Sequence, residues 1–220
     1  MINDITDSIQ QIVSQIDNTI IGTYDALNMH TLACNTKWAR EGKFIVNDGD
    51  SYLITAINYD NYLVADQVDG LIYLAPPYFV PGTRISTNME WTKISNNLSQ
   101  KTPLIWLLHD IKYKVYGRES AFNWESELRI FFLDETDIVN YYTLDHIHNV
   151  VNPMSKLAEE FIKVINLDRG YLTLEDYEII NFTRFGVDIE NGYIKNILDA
   201  NLSGVELRIK LTKYKINCKC

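Results

Sequence analysis

Val205–Thr212 reads apolar, polar, apolar, polar without a miss, the period-two pattern of a strand with one buried face. Ile111–Tyr116 repeats that alternation after the apolar run Pro103–Leu108. Between the two lies a helical pattern over residues 145–165, with Ile147, Val150, Val151, Met154, Leu157, Ala158, Phe161 and Ile165 on one face. Pro153 interrupts it, which predicts a kink or two short helices with Asn152 as the second cap. A strand pair at 104–117 and 122–133, joined through Gly117–Ser120, and strands near 177–185 and 204–215 complete the set. Helix, strand, strand, helix, strand, strand predicts an antiparallel sheet with helices on one face.

Upstream the period changes. Ile2, Ile5, Ile9, Ile12 and Ile16 recur at spacings of three and four, with Val13 and Ile20 alongside, and predict a core-facing helix. Asn3 or Thr6 can cap its start and Gly22 fits just past its end. Residues 43–91 read instead as short strands parted by turns. Asn47-Asp48-Gly49-Asp50 predicts a hairpin between Lys43–Val46 and Ser51–Ile57, and Asn58–Asn61, Val68–Gly70 and Pro81-Gly82 give further turns. Pro76 and Pro77 belong at an edge or in a loop. Residues 89–99 can form a short helix that Lys101-Thr102-Pro103 breaks.

The expected class is α+β. An N-terminal helix (1–30) and a small β-barrel or sandwich (31–90) precede a ferredoxin-like antiparallel sheet packed on helices (91–220). Trp106, Phe161 and Leu207 each lie on the apolar face of their element and are expected to pack together between sheet and helix.

Composition sharpens this picture. Across 220 residues, 46% are hydrophobic, enough for a sizeable core and too many for wholesale disorder. The 14 tyrosines suit half-buried strands and interfaces. A net charge of −9 argues against general nucleic-acid binding, which needs Lys and Arg to neutralise phosphates. The charge is uneven. Residues 44–83 carry Asp48, Asp50, Asp60, Asp66 and Asp69 with no Lys or Arg, whereas residues 206–220 carry Arg208, Lys210, Lys213, Lys215 and Lys219 against Glu206. These two regions are the candidate assembly surfaces. The basic stretch 213–220 is expected to lie against an acidic neighbour, either the 44–83 region of another copy or a different protein.

Cys34 is isolated, and Cys218 and Cys220 are too close for a relaxed bridge and lack partners for zinc. No signal-peptide pattern opens the chain and no apolar run approaches membrane-spanning length, so a soluble protein in a reducing compartment is expected. Candidate chemistry is sparse. Asp145-x-x-His148 with His146, Asp134-Glu135-x-Asp137 and His109-Asp110 are short polar clusters at element ends, and no glycine-rich phosphate loop occurs. A metal-dependent hydrolase would need Asp134, Asp137, Asp145 and His148 to converge. The expectation is no catalytic residue, no metal and no cofactor.

Thr102–Leu108 followed by Glu127–Leu133 and an acidic turn, then Val151-Asn152-Pro153-Met154, Leu157–Phe161 and a closing alternating strand, resembles the tail-terminator and tail-completion proteins of tailed bacteriophages. The likeness covers residues 89–216. The Asn-, Ile- and Tyr-rich composition suits the AT-rich genomes of Bacteroides-type podoviruses. The resemblance implies a small α+β virion protein that forms a ring in the neck or tail conduit. Its partners would be further copies of itself and portal or adjacent neck and tail proteins. DNA would only pass through the lumen, with no sequence-specific binding and no membrane. Residues 23–88 depart from the family plan as an inserted or prefixed β-domain. The alternative reading is a regulatory module that binds a small molecule or peptide through that β-domain.

Overall fold

The computed structural model describes residues 2–33, 35–58, 62–64, 68–93, 101–116, 123–167, 172–185, 187–190, 193–196, 198 and 200–213. Asp60, Asp66 and Lys215, named above as candidates, lie outside them, as does the side chain of Lys213.

Helix α1 spans Ile2–Ser14 and buries Ile5, Ile9, Ile12 and Val13. The chain leaves the helix earlier than the spacing predicts. Asp17 Oδ1 accepts the Thr19 N–H at 3.0 Å and the Thr19 hydroxyl at 2.6 Å, a local turn that competes with helix. The β-branched run Thr19-Ile20-Ile21 then enters strand β1 (Thr19–Asp25). Gly22 is therefore no helix cap. It sits mid-strand, where a Cβ would lie 2.4 Å from Thr31 Cγ2 and 2.8 Å from Ile72 Cδ1. Thr6 lies inside the helix rather than at its start, and its hydroxyl is 3.3 Å from His109 Nε2.

Strand β1 belongs to an open antiparallel sheet with β2 (His30–Ala33), β3 (Phe44–Asn47), β4 (Asp50–Leu53), β5 (Ala56–Asn58), β6 (Tyr62–Val64) and β7 (Gly70–Leu74), in the order β4-β3-β7-β1-β2-β6-β5. The β3–β4 hairpin turns on Asp48 (φ 50°) and Gly49 (φ 92°), both left-handed as a type I′ turn demands. The sheet is a half-barrel, neither a closed barrel nor a sandwich. Its inner residues Ile20, Ala33, Ile45, Ile72 and Leu74 join the apolar faces of the helices in one core.

The second sheet begins inside the region expected to be all-β. Strand β8 (Tyr78–Gly82), helix α2 (Arg84–Lys93) and strand β9 (Leu104–Leu108) form a parallel crossover. Then come β10 (Lys112–Tyr116), β11 (Asn123–Glu135), α3 (Thr143–His146), a π-helical turn (Ile147–Val151), α4 (Asn152–Leu167), β12 (Leu172–Phe185), the small pair β13 (Val187–Glu190) and β14 (Tyr193–Asn196), and β15 (Leu202–Lys213). The order is β12-β15-β11-β9-β8, with β10 also paired to β11. The parallel β8–β9 edge departs from the all-antiparallel, ferredoxin-like plan. Residue 31, where the all-β region was expected to open, lies within β2, and residue 91, where the α+β region was expected to open, lies within α2. Pro153 has no N–H to offer the Asn149 carbonyl, and the wider π-helical turn lies where that bond is missing.

Trp106, Phe161 and Leu207 are all buried, but they do not pack together. Strand β9 is covered on both faces. Ile105 and Leu107 share the helix-side core with Phe161 and Leu207. Trp106 points the other way, 5.1 Å from the Phe131 ring and 6.1 Å from Phe185, and its Nε1–H donates to the Gly82 carbonyl at 3.1 Å. A continuous apolar run does not reveal which face a given residue takes.

Phe161→Ala should cost about 3–5 kcal/mol, and Trp106→Ala a similar amount, in urea unfolding. Because the two rings sit on opposite faces of the sheet, the double variant should be additive to within about 0.5 kcal/mol. Strong coupling between them would contradict the two-core arrangement.

Candidate assembly surface

Alternation sorts the half-barrel's side chains into two faces. With Ile20, Ile45, Ile72 and Leu74 turned inward, the intervening residues face out, where an antiparallel sheet normally shows polar groups. Here they are apolar. Ile21 is 78% exposed and Phe44 58%, and Leu32, Val46, Leu53, Leu71 and Tyr73 are exposed as well. The register makes them contiguous: Leu53 opposes Phe44, Val46 opposes Tyr73, Leu71 opposes Ile21, and Leu32 lies beside Ile21's strand, opposite Thr23. Five adjacent strands thus share one apolar outer face, the kind of patch that marks an interaction site.

Its rim is acidic. Asp48 and Asp50 at the β3–β4 turn, Asp69 before β7 and Asp25 closing β1 stand at the same end of the sheet. The bases of residues 1–83 are Lys37, Arg40 and Lys43, and all three are engaged elsewhere. Lys37 Nζ lies 2.7 Å from Asp17 Oδ2, holding that carboxyl down at about 2 together with the Thr19 hydroxyl. Arg40 and Lys43 turn to the seam with the second sheet. There Asp134, 2% exposed, stands 3.2 Å from Arg40 Nε and 3.0 Å from Lys43 Nζ. Arg40 also donates to the Glu135 carbonyl at 2.6 Å, and Lys43 to the Thr102 hydroxyl at 2.8 Å. A crevice of about 800 Å³ runs along this seam.

Among the described residues, the bases of the C-terminal strand stand beside acids. Along the open face of the second sheet, register places Lys210 between Glu127 and Asp176, Lys112 opposite Glu127, and Arg208 opposite Glu178. Lys210 Nζ is 3.2 Å from Glu125. Arg129 and Arg208 oppose each other directly, and the fully buried Glu206 lies between them, accepting from both guanidiniums. Burial pushes the Glu206 carboxyl up, but the hydrogen bonds and charges of Arg129 and Arg208 outweigh it and hold the group below its usual range. Charges here pair across strands and cancel.

The polar clusters do not converge. Asp134 is the seam anion. Asp137 is held below its usual range by accepting from the Asn140 side chain and from the Asn140 and Val139 N–H groups. Asp145 Oδ2 accepts the Tyr142 N–H at 2.8 Å at the start of α3, and His148 is exposed. His146 is buried with Nδ1 2.7 Å from the Thr136 hydroxyl; burial and the Arg184 charge lower its pKa. Ser203 approaches the same nitrogen at 3.3 Å but donates its own proton to the Thr183 carbonyl at 2.6 Å. His109 bonds through its backbone N–H to the Gly82 carbonyl. Among the described residues no group of three or more His, Cys, Asp or Glu is placed to hold a metal ion, and no helix is long and apolar enough to cross a membrane. No protein-family model and no curated protein matches this chain.

The acidic half of the sequence reading, Asp48, Asp50 and Asp69, thus frames a surface that the reading passed over. Its signal was present: Ile20-Ile21, Phe44-Ile45-Val46 and Leu71–Leu74 are unbroken apolar runs, too apolar for strands with one solvated face.

Asp134→Ala leaves Arg40 and Lys43 without their buried counter-ion and should cost about 3–5 kcal/mol in urea unfolding. A loss below about 1 kcal/mol would show that the seam does not depend on it. The folded-state pKa of Glu206 lies below its free value of 4.5, so its contribution is complete above about pH 4.5 and is lost as pH falls through the folded value. Glu206→Gln should flatten the acid limb of a stability–pH curve measured by urea midpoint. An unchanged acid limb would contradict the assignment.

Proposed function

We propose that this protein is a virion structural subunit that assembles into a ring in the neck or tail conduit of a tailed bacteriophage, where it joins head to tail or completes the tail and lets DNA pass. One observation carries the reading: an apolar, acid-rimmed outer face on the half-barrel that no element of the same chain covers among the described residues. A face of this kind is suited to burial against another molecule. The acids at one end of the face disfavour setting two such ends together, and a repeated heterologous contact closes into a ring. The element order from α2 to β15 supports the same reading through the resemblance drawn from residues 89–216. The outer face of the second sheet, where acids stand beside the bases among the described residues, is also suited to a conduit wall that does not hold DNA phosphates.

The test is incorporation. Purified particles of the virus that encodes the chain should contain it in a fixed copy number, and electron microscopy should place it as a ring on the portal–tail axis. A chain absent from particles, or present as a single unsymmetrical copy, would overturn the proposal.

A further inference from the structure

The outer face of the half-barrel is apolar with acids at one end, and helix α2 has the complementary surface. It turns Thr87 and Trp91 inward and leaves Ile85 and Met89, four residues apart, 75% and 55% exposed. Bases stand at its two ends, Arg84 at the start and Lys93 at the close, and both are exposed. Its one acid, Glu90, stands near Tyr78 and His109. We infer that α2 of a neighbouring copy lies across the outer face of the half-barrel; the inference rests on the ring reading.

The dimensions agree. At the usual rise α2 is roughly 15 Å long and sets Arg84 and Lys93 roughly 13 Å apart along its axis. At the usual strand spacing β4-β3-β7-β1-β2 span roughly 19 Å, and β4, which carries Asp50, lies roughly 14 Å from β1, which carries Asp25. A helix laid across the strands at their acidic end sets one base beside Asp48 and Asp50 and the other beside Asp25 and Asp69. Ile85 and Met89 then meet Val46, Leu71 and Ile21. The half-barrel's own bases do not compete, since Lys37, Arg40 and Lys43 are drawn inward to Asp17 and Asp134. Exposed ion pairs contribute little singly, so the apolar contact supplies affinity and the charges set orientation.

The helix comes from another copy. The half-barrel's inner residues share the core on one side of β9 with Ile105 and Leu107, whereas Trp91 of α2 packs on the other side with Trp106. The second sheet stands between α2 and its own half-barrel, so the contact runs head to tail.

Two variants of the full chain test this, each altering exposed positions only. Ile21→Lys with Leu71→Lys spoils the face, and Arg84→Glu with Lys93→Glu spoils the helix. Each alone should weaken self-association at least about tenfold by sedimentation velocity. Mixed together they should form one-to-one pairs and nothing larger, because the first retains the helix and the second the face. A helix variant that associates like wild type would overturn the inference. So would a mixture without pairs, or a wild-type chain that stays monomeric at every soluble concentration. Incorporation into particles separates the two levels. If the helix variant still enters particles as a ring, this contact is wrong and the ring reading stands; if wild type self-associates through it but never enters particles, the contact stands and the ring reading fails.

Discussion

A sheet that carries apolar side chains on both faces is stable in water only when both are covered, and among the described residues this half-barrel is covered once. The inner residues Ile20, Ile45, Ile72 and Leu74 share a core with α1 and α4. The outer residues Ile21, Phe44, Leu71 and Tyr73 face solvent. Each buried apolar side chain contributes roughly 1.5–3 kcal/mol, so an uncovered strip of this kind is a standing drive toward association.

The position of that face is set by the seam around Asp134. A nearly fully buried carboxylate held by Arg40 and Lys43 ties the loop before β3 to the end of β11. Removing one member of such a cluster leaves a buried charge unpaired, which resists relative movement of the two sheets. The half-barrel therefore presents its outer face at a fixed angle to β15, a condition for any contact that must repeat around a ring.

The α+β class, the apolar helices and the Asn47–Asp50 hairpin were legible in the sequence because each rests on local periodicity or turn chemistry. Face assignment was not. Trp106 sits in a run apolar at every position, so period two cannot say that it turns away from Phe161. Ile20 fits the helical spacing of the preceding isoleucines, and only the Asp17 turn and the β-branched run move it into a strand. The basic stretch at 206–213 looked like a charged surface because a linear count omits cross-strand neighbours; Glu127, Asp176 and Glu178 cancel it in the folded sheet. The acidic rim was visible as composition, while the apolar face it frames emerged only once register brought five short strands side by side.

The most direct measurement is hydroxyl-radical footprinting of Phe44 and Tyr73 in the free chain and in assembled particles. Both rings face out from the half-barrel, and both should be labelled readily when the chain is free and protected when it is assembled. Equal labelling in the two states would show that the outer face stays in water, and would contradict the assembly role proposed for it.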